Sequence, residues 1–311
     1  MKTMKAVRIH TYGGPEVLKF EDAPRPEPAR GEVLIKVNAA GVNPIDWKIR
    51  AGYLKEHRPY VFPLILGWDV SGIIEANGLD GTRFKNGDEV YARADIVRNG
   101  AYAQYIVAKQ VEVAQKPKSI DHIRAAIPLA AVTAWQALFD AAGLSAGHRI
   151  LIHGAAGGVG SFAVQLAKWR GAHVIGTASA RNQTFIHELG ADEAIDYTKT
   201  SFDDVVRDVD VVFDTVAGET QTRSWKVLKK GGILVSVASP PSAEDAVKNG
   251  VRQAFVFMVP NASQLAEIAK LVDSGMLKSV VETVLPLSEA RRAHELSQTG
   301  HTRGKIVLRV D

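Results

Sequence analysis

The sequence predicts an α/β protein in which a small, irregular β-barrel is joined to a doubly wound parallel sheet. Three observations predict it. The first 115 residues alternate short β-rich runs with turns, and from Ile120 onward helices and strands alternate. Residues 150–160 run Ile-Leu-Ile-His-Gly-Ala-Ala-Gly-Gly-Val-Gly, an apolar strand entering a glycine-rich turn. Strands that alternate with helices imply a parallel sheet; short strands broken by turn residues imply a barrel or sandwich.

In the first part, Lys5–His10, Val17–Glu21, Glu32–Ala40, Val70–Ala76, Glu89–Ala92 and Tyr102–Ala108 are the predicted strands. Gly13-Gly14-Pro15 and the prolines at 24, 26 and 28 separate them, since glycine opens unusual φ and proline removes a ladder donor. In the second part, strands are predicted at 150–152, His173–Thr177, Glu193–Asp196, Asp210–Asp214 and Gly232–Ala238, with a helix at Asn182–Leu189. The tail carries helices at Ala262–Ser274 and Ser288–Gln298 and a last strand at Lys305–Val310.

At 311 residues the chain has room for two domains, and 46% hydrophobic with 23% charged residues is ordinary for a globular protein. A net charge of +4 suits an anionic ligand, while no basic tail or aromatic-interleaved basic stripe points to a nucleic-acid partner. The apolar runs are too short for a membrane span, and no apolar signal core follows Met1-Lys2-Thr3-Met4-Lys5, so no membrane and a cytoplasmic location are expected. Cysteine is absent. There is accordingly no disulfide, thiolate nucleophile or cysteine-held metal.

The glycine-rich turn carries the chemistry. Ala155, Gly157 and Gly160 occupy the key positions of G-x-G-x-x-G, with alanine in place of the first glycine. Taken alone, such a run fits a tight turn in any α/β protein. With a strand before it, a helix through Phe162–Ala167 after it and a second strand at 173–177, it is a Rossmann dinucleotide cradle. The backbone at Ala156, Gly157, Gly158 and Val159 supplies the phosphate contacts, where a helix N-terminus offers unpaired N–H groups. An NAD site places an acid about 20 residues on, yet 177–182 reads Thr-Ala-Ser-Ala-Arg-Asn. Ser179 and Arg181 fit a 2′-phosphate, and NADPH is the expected cofactor. The alternative, that they cap the next helix, explains Arg181 poorly because a cation opposes the dipole there. Thr215-Val216 and Ala238-Ser239 follow later strands of the sheet, where ligands are also expected.

Beyond the turn, the order and spacing of several segments are informative: Ala40-Gly41-Val42-Asn43-Pro44-Ile45-Asp46, Gly67-Trp68-Asp69-Val70-Ser71-Gly72, Gly87-Asp88-Glu89-Val90, Gly100-Ala101-Tyr102-Ala103, Ala131-Val132-Thr133-Ala134-Trp135 and Arg303-Gly304-Lys305-Ile306-Val307-Leu308. Together they resemble the medium-chain dehydrogenase/reductase superfamily, in particular its zinc-free quinone oxidoreductase (zeta-crystallin-like) branch. The resemblance implies a GroES-like barrel built from residues 1–119 with 262–311, a Rossmann NADPH-binding domain at 120–261, and a homodimer paired along the nucleotide-domain sheet. It also implies that Asn43 lies beside the nicotinamide ribose or ring, that Thr133 contacts that ribose, and that Tyr197 touches the 2′-phosphate. Asn43 before proline is equally a good turn residue, and Tyr197 equally a half-buried ring at a strand end.

Zinc-dependent relatives hold their metal with an early cysteine and the histidine of a Gly-His-Glu sequence; here those segments read Val42-Asn43-Pro44 and Gly67-Trp68-Asp69. No metal is expected. Lacking a Lewis acid, such a protein suits acceptors that take hydride readily, namely quinones and α,β-unsaturated carbonyls. Members of the branch often carry a tyrosine two positions after Asp46, where this chain has Lys48; a nearby tyrosine falls at Tyr53. Lys48 either stabilises a developing oxyanion or is a solvated loop lysine, and Tyr53 either donates a proton or lines the pocket. Asp46 is expected to order the loop, and Trp47 and Trp68 to flank an aromatic acceptor. Phe255, Phe257 and Met258 fit core packing, a dimer edge or a wall of the substrate pocket, with the dimer edge favoured over substrate contact. The expected function is NADPH-dependent reduction of a quinone. The alternatives are reduction of an enone or 2-alkenal, and, in a different class, a largely non-catalytic NADPH-binding sensor or RNA-contacting protein.

Overall fold

The computed structural model describes residues 2–79 and 83–310; Met1, 80–82 and 311 lie outside the described residues. The chain divides into two compact units, one of residues 1–129, 260–274 and 279–311, the other of 130–259 and 275–278.

In chain order the first stretch contains β1 (Thr3–Ile9), β2 (Lys19–Pro24), β3 (Glu32–Val42), α1 (Pro44–Arg50), β4 (Leu64–Ile65), β5 (Asp69–Asn77), β6 (Glu89–Arg93), β7 (Tyr105–Lys109), β8 (Val113–Gln115) and α2 (His122–Ala125). Next come α3 (Pro128–Trp135), β9 (Arg149–Ile152), α4 (Gly158–Trp169), β10 (His173–Ala178), α5 (Gln183–Glu188), β11 (Glu193–Asp196), α6 (Phe202–Val205) and β12 (Val209–Asp214). The rest is α7 (Gly218–Ser224), β13 (Leu228–Ser236), α8 (Ala243–Asn249), β14 (Arg252–Phe255), α9 (Ala262–Asp273), β15 (Val281–Pro286), α10 (Ala290–Gln298) and β16 (Lys305–Arg309).

The first unit is the irregular barrel. A seven-stranded sheet runs β15-β16-β3-β5-β6-β8, with β7 also pairing β3, and a three-stranded sheet runs β2-β1-β4. Most pairs are antiparallel, and the late strand β16 lies between β15 and β3. β3 extends two residues past its predicted end because Ala40, Gly41 and Val42 pair with Leu308, Val307 and Ile306. Proline at the first position of a turn presets φ, so Pro15–Val17 forms a 3-10 turn and β2 starts at Lys19 rather than Val17. The predicted strand at Tyr102 begins only at Tyr105, since Ala103 makes an isolated bridge to Ala6. Trp68 is fully buried in the barrel core, with its Nε1–H donated to the Arg98 carbonyl at 2.8 Å. This corrects the expectation that it flanks an acceptor: an indole on an apolar core position needs only one polar partner.

The second unit is a six-stranded parallel sheet in the order β11-β10-β9-β12-β13-β14. Its centre is β9, where Ile150, Leu151 and Ile152 are fully buried; each contributes on the order of 1.5–3 kcal/mol through burial. Continuous apolar runs of this kind belong to strands covered on both faces. The order reverses at β9, with β10 on one side and β12 on the other, which is the switch point where such sheets bind ligands at their carboxyl ends. Among the described residues no helix is long and apolar enough to cross a membrane.

Candidate functional site

The switch point is built by the turn between β9 and α4. Gly154 takes φ +65°, a left-handed conformation that favours glycine. A side chain at Gly160 would drive into the Gly154 carbonyl and stand 2.8 Å from Ala155 Cα, so only glycine lets the first turn of α4 press against the loop. Gly157, extended, precedes the helix, and the first-turn amides of Gly158, Val159 and Gly160 have no carbonyl of their own helix to meet. Such a terminus binds phosphate.

Behind the turn lies His153, 1% exposed. Ser224 Oγ donates to the Thr220 carbonyl at 2.6 Å and thus accepts from His153 Nε2–H at 2.9 Å. His153 Nδ1 then accepts from Thr177 Oγ1, 3.2 Å away, which itself accepts the Gly154 N–H. Burial pushes the imidazole down to about 4, so it is neutral at pH 7. The loop after β12 is held by Asp214, whose Oδ1 accepts the Val216 and Ala217 amides, both at 2.9 Å, and keeps Ala217 at φ +70°. Asp214 Oδ2 accepts from Ser236 Oγ and Gln221, and Ser236 Oγ in turn accepts the Ala238 amide at 3.2 Å. Thr215 and Val216 therefore stand at the end of one strand, and Ala238 and Ser239 just beyond the end of its neighbour.

At the end of β10, Ser179 precedes a short 3-10 turn holding the exposed Arg181. Asn182 donates to Ser179 Oγ at 3.2 Å. The Tyr197 amide donates to the Ala178 carbonyl at 3.3 Å, one residue past the register pair Ala178–Asp196, so the half-exposed Tyr197 ring belongs to the strand end beside Ser179. Thr133, in α3 of the same unit, is buried with an Oγ1 that has no hydrogen-bond partner. An orphaned hydroxyl, a glycine cradle and unpaired helix amides together fit a dinucleotide.

The barrel unit holds the second group of expected residues. Asn43 precedes α1, and its backbone N–H is accepted by Asp46 Oδ2 at 2.8 Å, so Asp46 orders this loop as expected from the sequence. Tyr102 Oη donates to the same oxygen at 2.9 Å, while Asp46 Oδ1 is buried without a partner. Burial, with the Asp69 carboxylate adding to it, raises Asp46 to about 7. Lys48 is half-buried, 5.8 Å from the Trp47 ring; Tyr53 is 68% exposed and meets that ring edge-on. The sequence reading did not anticipate the polar network beneath Asn43. Arg50 can only donate, so His294 Nδ1 accepts from it at 3.1 Å, and His294 Nε2 contacts Tyr102 Oη at 3.3 Å. Asp69 and Lys305 complete it, and their signal is a charged residue at the first position of a strand, followed in β16 by Ile306, Val307 and Leu308 and in β5 by Val70.

A parallel sheet with a phosphate cradle at its switch point, accompanied by this barrel, defines a nicotinamide-dependent oxidoreductase. The family description "alcohol dehydrogenase GroES-like domain" matches residues 29–118, and "zinc-binding dehydrogenase" matches residues 189–308. A mitochondrial NAD(P)H oxidoreductase of Mus musculus is 37% identical over 99% of this chain and 89% of its own. A chloroplastic quinone-oxidoreductase homolog of Spinacia oleracea is 35% identical over 99% and 98%. The solved quinone oxidoreductase from Coxiella burnetii superposes with a TM-score of 0.93 at 38% identity over the whole of both chains. The chain belongs to the medium-chain dehydrogenase/reductase family, in its quinone oxidoreductase branch, and is an NAD(P)H-dependent oxidoreductase.

Zinc does not fit this member. It has no cysteine, and among the described residues no group of three or more His, Asp or Glu side chains could hold a metal ion. The expectation of a cytoplasmic protein is overturned by the relatives, which are named mitochondrial and chloroplastic. Soluble composition is shared by enzymes of every aqueous compartment and does not choose among them.

Proposed function

We propose that the protein reduces a quinone with NADPH. The observation that carries the cofactor choice is the end of β10, where Ser179 and Arg181 stand in place of an acid, with Tyr197 at the adjacent strand end. A hydroxyl and a guanidinium complement a 2′-phosphate, whereas an NAD site needs a carboxylate for the free ribose hydroxyl. In the sheet unit, Ala156, Gly157, Gly158 and Val159 take the pyrophosphate, while Thr133, Thr215, Val216, Ala238 and Ser239 serve the nicotinamide end. The bound dihydronicotinamide supplies the hydride. In the barrel unit, Asn43, Lys48 and Tyr53 serve the acceptor: Lys48 offers a cation to a developing oxyanion, and Tyr53 a phenolic proton. The sheet unit, 130–259 with 275–278, serves as the cofactor domain, and the barrel unit, 1–129 with 260–274 and 279–311, as the catalytic one. A homodimer forms along β14, the sheet-edge strand, where Phe255 and Phe257 are 40% and 48% exposed beside a shallow hollow of about 430 Å³.

The test is kcat/KM for a panel of quinones and enones with NADPH and with NADH. Higher values with NADPH and quinones are expected. Higher values with enones would replace the acceptor, and tight NADPH binding without turnover would overturn the enzymatic reading in favour of a sensor.

A further inference from the structure

Lys305 is 3% exposed, and its Nζ lies against three oxygens: the Val42 carbonyl at 3.1 Å, Asn43 Oδ1, and Asp69 Oδ2 at 3.4 Å. An ammonium has donors and no acceptor, so every one of these oxygens must accept from it. That settles which way the Asn43 amide faces. Its oxygen meets Lys305, and its Nδ2–H donates to Asp69 Oδ2 at 2.9 Å. The flipped amide would set N–H against ammonium and carbonyl against carboxylate, two repulsive contacts in a site where burial leaves little screening. Asp69 is fully buried, and its other oxygen accepts the Leu129 amide at 2.6 Å. Asn43 spends its backbone N–H on Asp46 and its backbone carbonyl on the Asp46 amide. One group remains: the second amide hydrogen, which no described residue accepts.

The geometry points to Lys305 and Asp69 as positioning residues that hold Asn43 as a fixed hydrogen-bond donor for the carbonyl oxygen of a conjugated acceptor. Resting on the proposed function, this specifies its substrate class as molecules whose oxygen gains negative charge as hydride arrives. The acceptor gains two electrons and a proton as hydride, the displaced π pair comes to rest on its oxygen, and that oxyanion then takes one proton from the Tyr53 phenol, which recovers it from water. A donor aimed beforehand at the oxygen lowers the cost of that charge, and Lys305 drawing on the amide oxygen strengthens it. Neither charged residue touches the acceptor. Their opposite signs fix the amide without adding net charge beneath it.

The test needs no turnover. The NADP⁺-loaded protein is titrated with 4-nitrophenolate, an aryl oxide of the kind the reaction forms, and with 4-nitroanisole, of similar shape but without the anionic oxygen. The wild type is expected to bind the phenolate, and Asn43→Ala to weaken it about tenfold while leaving the anisole within twofold. The double variant Lys305→Met with Asp69→Leu removes both buried charges together, which avoids stranding either, and is expected to weaken the phenolate selectively as well. Unchanged phenolate binding in Asn43→Ala, or equal loss of both ligands, would overturn the proposal. If phenolate binding depends on Asn43 but the wild type reduces neither quinones nor enones, the proposed function fails and this inference stands.

Discussion

His153 gives its Nε2–H to Ser224 Oγ across 2.9 Å, joining the residue that opens the cofactor turn to the last residue of α7. Ser224→Ala leaves that buried N–H unanswered, a cost of about 1–3 kcal/mol. Chemical unfolding should show a loss of that size, and cofactor KM should rise because His153, Thr177 and Gly154 share one chain of hydrogen bonds. An unaltered unfolding midpoint would mean that water replaces the hydroxyl.

Two glycines of the turn separate packing from ligand approach. Gly160→Ala forces a methyl into the Gly154 carbonyl, whereas a methyl at Gly157 meets only that same carbonyl at 3.3 Å. Gly160→Ala should lower both the melting temperature and cofactor affinity, the latter by tenfold or more. Gly157→Ala should leave melting within a degree or two and weaken only the cofactor, as read by titrating NADPH fluorescence.

This contrast also shows what the sequence could reveal. The turn was legible because its chemistry is local: strand, glycines and helix follow one another along the chain, and the missing acid is read at a fixed distance. The network under Asn43 was not, because Asn43, Asp69, Tyr102, His294 and Lys305 come from five separate segments that meet only once the barrel closes. Trp68 misled for the same reason. A motif position says that a residue matters and not which way it faces.

Arg181→Ala should raise KM for NADPH roughly tenfold and leave that for NADH within twofold, since the guanidinium is assigned to the 2′-phosphate alone. Steady-state kinetics with both cofactors decides it. An equal change for both would remove Arg181 from the phosphate site.

Stability should respond to pH in two opposite ways. Burial holds His153 at about 4 and His294 at about 3, against an ordinary 6.5. Their contribution is complete above pH 6.5 and is lost as pH falls toward 3, because the unfolded chain takes up those protons first. Asp46, raised from 3.8 to about 7, contributes fully below about pH 4 and loses its share as pH rises to 7. His294→Gln should therefore flatten the acid limb, and Asp46→Asn should flatten the decline from pH 4 to 7, in denaturation series across that range. A slope unchanged in either variant would show that the group does not titrate on unfolding.

Phe257→Asp places a charge on the exposed apolar edge beside β14. Sedimentation should show a dimer for the wild type and a monomer for the variant, with NADPH binding retained. A monomeric wild type would remove the dimer from the proposal.

Lys305 stands 262 residues after Asn43 in the chain, on a strand that slots between β15 and β3. During synthesis, then, Asp46 and Asp69 leave the ribosome long before the ammonium that accompanies them in the finished barrel. A nascent chain cannot settle those carboxylates beside their cation until β16 has been made. A product cut short before Lys305 lacks the ammonium that meets Asp69 and the strand that joins β15 to β3, so one truncation removes an ion pair and a ladder together.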